Sequence, residues 1–178
     1  MEIRISHHFP CTPREYWDAT RGPVYEEDLR RDMEMDVVVL ERREEGSRLW
    51  ERVRVSPRKE LPVVMAKAIG ASRLSYVQEV DSNSDDLTMK WRVIMDAMPE
   101  KVTCAGTSRV IASPAGGCER IIEGEITVGI PLVGRIIEKH VVEGIAKSYD
   151  RAAVVAARHL PSSGGAPSGG PPAPETPA

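Results

Sequence analysis

The stretch GEITVGIPLVGRIIEKHVVEGI, residues 124–145, changes its period halfway along. Gly124, Ile126 and Val128 fall on one side and Glu125 and Thr127 on the other, as in a strand with one buried face. Beyond Pro131 the pattern is helical: Val133, Ile137, Val141, Ile145, Tyr149, Ala152, Ala156 and Leu160 recur every three or four residues. Arg135, Glu138, Lys139, Glu143, Lys147, Asp150 and Arg151 occupy the remaining faces. The result is one amphipathic helix of roughly 40 Å, at about 1.5 Å per residue. Its proline stands in the first turn, where no helical N–H bond is lost. So long an apolar stripe needs a large apolar partner, and a one-sided antiparallel sheet supplies it. The stretch predicts a sheet curled around a C-terminal helix.

The rest of the chain supplies that sheet. Ile3, Ile5, His7 and Phe9 alternate onto one face of an opening strand. Thr12, Pro13 and Glu15 then form an N-cap, an N1 proline and an N3 carboxylate, so a helix carrying Tyr16 and Trp17 starts there. A second short helix around VYEEDLRR follows Gly22-Pro23. Strand-like runs come next at MEMDVVVLERRE, SRLWERVRV, RLSYVQEV, DLTMKWRVIMDA, KVTCAGTSRVIA and CERIIEGEITVGI. The separators Glu45-Gly46, SNSD, MPE and SPAGG are turn chemistry at hairpin spacing. The clearest alternation sets Leu87, Met89, Trp91, Val93 and Met95 against Thr88, Lys90, Arg92 and Asp96. The expected class is α+β: about seven antiparallel strands, two short helices after the first strand, and the long terminal helix. Residues 1–160 form that domain, and the Pro/Gly/Ala/Ser-rich residues 161–178 read as a disordered tail.

A chain of 178 residues supports one domain with a sizeable core. Twenty-four basic against 27 acidic residues give a net charge of −3, which argues against a nucleic-acid binder. The N-terminus MEIRISHHF is short, alternating and partly charged, no run is long enough to span a membrane, and the expected location is the cytoplasm. Three cysteines, an odd number, suggest free thiols. With a turn at Ser113–Gly117, Cys104 lies too far along its strand to reach Cys118. There is no CxxC motif, and His7, His8, His140 and His159 are scattered, so neither a metal nor a cofactor is expected.

The opening strand with FPCTPREYWD, the LPVVMAKAIG segment and above all the 124–145 junction carry a resemblance to the START-like (SRPBCC, helix-grip) superfamily. The resemblance is greatest to a bacterial branch known only as a domain of unknown function, and it covers about residues 1–160. It implies the helix-grip fold and an internal cavity of the kind that the superfamily commonly uses for lipids, sterols or polyketides. It brings no catalytic residues to transfer.

The residues themselves give partial support for a cavity. His7, Tyr76, Gln78, Met89, Trp91, Cys104, Gly106, Gly124, Ile137 and Val141 fall on inward faces and are its candidate lining. Gly106 and Gly124 either leave interior space or permit the bends of a curled sheet. Residues 58–73 read as a short amphipathic helix flanked by Arg58, Lys59, Lys67 and Arg73. Its Leu61, Val64, Met65 and Ile69 suit a lid or a transient membrane contact, and equally a helix packed on the core. The expected function is binding or transport of a hydrophobic small molecule or lipid, without catalysis. Two alternatives stand beside it. A cyclase- or hydrolase-like enzyme would draw on His7, Tyr76, Gln78 and Glu51. A protein-interaction module would present Trp50, Arg52, Arg54 and Ile94 from the outer sheet face.

Overall fold

Thr12 begins the first helix as its sequence requires: its hydroxyl accepts from Glu15 N–H, and the Glu15 carboxylate accepts from Thr12 N–H at 2.8 Å. The computed structural model describes residues 1–97, 99–130 and 134–161. In chain order the elements are β1 (Glu2–Phe9), α1 (Pro13–Ala19), α2 (Pro23–Asp32), β2 (Met35–Glu45), β3 (Arg48–Pro57) and α3 (Val63–Ile69). They continue with β4 (Tyr76–Asn83), β5 (Thr88–Met95), a 3-10 turn at Pro99–Lys101, β6 (Val102–Ala112), β7 (Cys118–Val128) and α4 (Gly134–His159). All seven strands form one curled antiparallel sheet in the order β1-β7-β6-β5-β4-β3-β2, and α4 crosses its inner face. This is the helix-grip architecture.

The junction between β7 and α4 is made by two residues. The Gly134 N–H donates to Ile130 O at 2.8 Å, and a Cβ at Gly134 would collide with the carbonyl oxygen of Val128. Glu138 reaches back so that its Oε1 accepts the Val128 N–H at 2.8 Å. The helix can therefore start directly beneath the strand that precedes it. Pro131 and Val133, read above as the first turn of the helix, lie outside the described residues.

Two apolar clusters hold the layers together. Phe9, Tyr16, Trp17, Tyr25, Cys118 and Val155 join α1, α2 and the C-terminal half of α4 to the sheet. Ile3, Trp91, Ile122, Ile126, Val128 and Ile137 pack the N-terminal half of α4 onto β1, β5 and β7. Leu87 departs from the expected alternation: it precedes β5 with φ of 54° and packs on the Phe9 cluster. Cys11, Cys104 and Cys118 are free. Cys118 sits opposite Ala112 and Cys104 opposite Ile126, while the thiols that approach each other are Cys11 and Cys118, 3.9 Å apart.

The helix in the 58–73 segment is shorter than its sequence suggests. Pro62 occupies the N-cap, and Gly70, with φ of 75°, ends it. The Leu61 N–H donates to Ser72 O at 2.9 Å, so the excursion closes on itself. Leu61 packs against the Trp91 cluster, whereas Val63 and Val64 are 71% and 81% exposed. The side chains of Met65 and Ile69 lie outside the described residues, as does the tail from residue 162 onward.

Candidate functional site

The register across β4, β5, β6 and β7 creates one apolar space under α4. Tyr76 faces Met95, Val93 faces Cys104, and Cys104 faces Ile126, all on the inner side of the sheet. The period of α4 brings Ile137, Val141 and Ile145 over them. Val102 and Val128 complete the walls, and Leu74, Ala97 and Ile130 stand where the strands run out into loops. The cavity measures about 120 Å³. That is below the roughly 300–1,000 Å³ of drug-sized pockets and near the ~150 Å³ of an apolar cavity that takes up benzene.

Its polar equipment is sparse. Among the described lining residues only Tyr76 and Cys104 carry a side-chain O–H or S–H, and none is charged. Burial pushes the Tyr76 phenol up to about 12 and the Cys104 thiol up to about 11, so both are neutral near pH 7. The thiol is therefore a poor nucleophile. The Tyr76 hydroxyl has no hydrogen-bond partner among the described residues.

One layer further into the core the space is filled. Trp91 follows Val93 inward on β5, opposite Gly106, which in turn lies opposite Gly124. A Cβ at Gly106 would lie 2.5 Å from Trp91 Cζ2, and one at Gly124 would lie 2.8 Å from the same atom. The two glycines therefore seat the indole, an aromatic ring laid across bare backbone. Trp91 is 5% exposed, and its Nε1–H has no partner among the described residues.

Beyond Trp91 lies a polar knot around Arg120, which is 7% exposed. Its Nη1 donates to the Tyr16 hydroxyl at 3.0 Å, and its Nη2 donates to Tyr149 O and to His7 Nδ1, each at 3.1 Å. Because His7 Nδ1 accepts from the guanidinium, His7 Nε2 carries the proton that is given to Asp150 Oδ1 at 2.9 Å. The knot ties β1, β7, α1 and α4 together. Tyr149 follows Ile145 on the helical stripe. Burial pushes its phenol up to about 12, and the nearby Arg120 charge acts in the opposite direction.

Of the residues singled out from sequence, Tyr76, Cys104, Ile137 and Val141 line the cavity. Gln78 and Met89 lie on the inner sheet face outside the lining, as do Trp91, Gly106 and Gly124. His7 belongs to the Arg120 knot, and Glu51 pairs with Arg42 at 3.2 Å. His7, Gln78, Glu51 and Tyr76 make no hydrogen bonds with one another among the described residues. Arg52 and Arg54 on the outer face pair with Glu79 and Asp96, and the Arg43 guanidinium lies over Trp50. Arg120 is not among the residues that the sequence singles out, although an arginine in phase with Cys118 and Ile122 on an inward strand face is a signal for it. No group of three or more metal-ligating side chains is found among the described residues, and no described helix is long and apolar enough to cross a membrane.

A family model described as a protein of unknown function (DUF2505) matches residues 4–160. A search of curated proteins gives no match. Among solved structures, the aromatase/cyclase Zhui from Streptomyces sp. R1128 superposes with a TM-score of 0.65 at 14% identity, over 93% of this chain and 99% of that one. Norcoclaurine synthase from Thalictrum flavum gives 0.60 at 14% identity, over 89% and 87%. TTHA0849 from Thermus thermophilus gives 0.62 at 15% identity, over 89% and 96%. At such identities the likeness is one of fold.

Proposed function

The chain belongs to the DUF2505 family, and on the geometry of its interior we propose that it binds a hydrophobic small molecule or lipid and carries it without converting it. The observation behind this reading is the cavity under α4, walled mostly by aliphatic side chains and with no charged residue among its described lining. Burial of apolar ligand surface there is favourable by about 25 cal/mol per Å². No described nucleophile, base and orienter converge on the cavity, which favours carriage over chemistry. Neighbours of this fold include proteins named as a cyclase and a synthase, so the architecture also accommodates enzymes.

The α3 excursion supports a way in. It joins the chain two residues before Leu74, at the end of the cavity where the strands give out. Val63 and Val64 show their apolar surface to solvent, with Lys59, Lys67 and Arg73 exposed around them. In this reading Leu61 anchors the excursion while Val64 meets a lipid surface during loading. A one-ring apolar probe such as toluene is expected to saturate one site per chain. Val64→Asp is expected to slow probe exchange from anionic vesicles several-fold and to leave the melting temperature within about 1 °C, since an exposed position contributes little to stability. Absence of saturable probe binding by the unaltered protein would refute the carrier reading, and unchanged exchange in Val64→Asp would remove α3 from the entry route.

A further inference from the structure

We propose that the ligand is a compact, uncharged molecule with one hydrogen-bonding group, held at Tyr76 and limited in depth by Trp91. The inference deepens the carrier reading and rests on it. Three observations define the ligand.

The first is charge. Among the described residues no lysine, arginine, histidine or carboxylate lines the cavity. Arg120, buried beyond the indole, has its Nη atoms engaged by Tyr16, Tyr149 O and His7, and its Nε–H has no partner among the described residues. A carboxylate drawn inside would exchange its hydration for the single Tyr76 hydroxyl and no opposite charge, and an ammonium would fare no better. Neutral ligands are favoured over their ionised congeners.

The second is the phenol. The Tyr76 hydroxyl is the strongest hydrogen-bonding group in the lining and is uncommitted among the described residues. It can donate to a ligand carbonyl or ether, or exchange a hydrogen bond with a ligand hydroxyl. The Cys104 thiol, the other candidate, donates only weakly. One polar function on the ligand therefore finds a strong partner, and a second would meet at best the weak Cys104 thiol.

The third is depth. The lining stops at Val93, Cys104 and Ile126, and the following layer is the Trp91 indole across Gly106 and Gly124. A volume of about 120 Å³ holds a single substituted ring or a short branched chain, whereas an extended acyl chain would have to displace the indole. Trp91 is thus the residue that sets ligand length.

The test uses the full chain and three probes of one shape: toluene, para-cresol and para-toluate. Calorimetry or ligand-observed NMR is expected to show one-site binding of toluene and para-cresol, and para-toluate weaker by on the order of a hundredfold. In Tyr76→Phe, which is nearly isosteric, para-cresol should lose about tenfold while toluene stays within about twofold. Across para-alkylphenols each methylene that finds room raises affinity about fourfold. That rise should end within a carbon or two in the unaltered protein and continue further in Trp91→Leu. Para-toluate binding as tightly as para-cresol, or para-cresol indifferent to Tyr76→Phe, would overturn the assigned chemistry. A rise that continues through long chains in the unaltered protein would overturn the role of Trp91, and needs no folded variant to be seen. Failure of toluene itself to bind would instead remove the carrier reading on which the proposal stands.

Discussion

Gly106 shows how much one missing methyl group decides. Its Cβ would meet Trp91 Cζ2 at 2.5 Å and the Gly124 Cα at 2.7 Å, and would also strike the carbonyl oxygen of Glu123. The carbonyl and the Cα are backbone, so relief would require the β6 and β7 strands to separate. Gly106→Ala is therefore expected to destabilise the fold by about 2 kcal/mol or more, with a Trp91 fluorescence change marking the displaced ring. An alanine variant as stable as the parent, with unchanged emission, would contradict the seating of Trp91. Sequence placed Gly106 and Gly124 on an inward face, and there its reach ended. What fills the space above them is a matter of contact between strands. Arg120 is a similar case: its inward phase was readable, whereas its partners come from α1, α4 and β1 and lie 29 to 113 residues away.

At the scale of elements, α4 has two unlike faces even at adjacent positions. Ile137 is 5% exposed against the sheet, and Ile136 is 68% exposed. Ile137→Asp buries an unpaired carboxylate and is expected to cost more than about 3 kcal/mol, whereas Ile136→Asp should stay within about 0.5 kcal/mol. Denaturant unfolding of the pair checks this, and equal losses would mean that α4 is rotated from the position described. The 3.6-residue period makes this face legible in the sequence alone, because a long stripe repeats the same message at Ile137, Val141 and Ile145. The short α3 is less legible. Its stripe holds too few residues to set a face, and Val64, read with the apolar side, stands exposed beside Val63.

For the whole molecule, the four tyrosines make stability depend on alkaline pH. Burial pushes Tyr25, Tyr76 and Tyr149 up to about 12 and raises Tyr16 as well, against an ordinary value of 10.0. A folded state that holds phenolic protons more tightly than the unfolded chain keeps its full stability below the unfolded value. It loses that stability as pH rises from about 10 toward about 12. Tyrosinate absorbance should appear late and together with loss of far-ultraviolet circular dichroism. Reversible ionisation near pH 10 with the fold intact would place the phenols at the surface instead. The same burial divides what sequence determined from what tertiary structure decided. Periodicity, the Thr12 capping box, Gly70 at a helix end and the hairpin turns determined the order and kind of elements, because each is set by residues close together in the chain. Neither the depth of the cavity nor its lack of charge is local. Both follow from the register that puts Trp91 opposite Gly106 and Gly106 opposite Gly124, and from the knot that holds Arg120 beyond the indole.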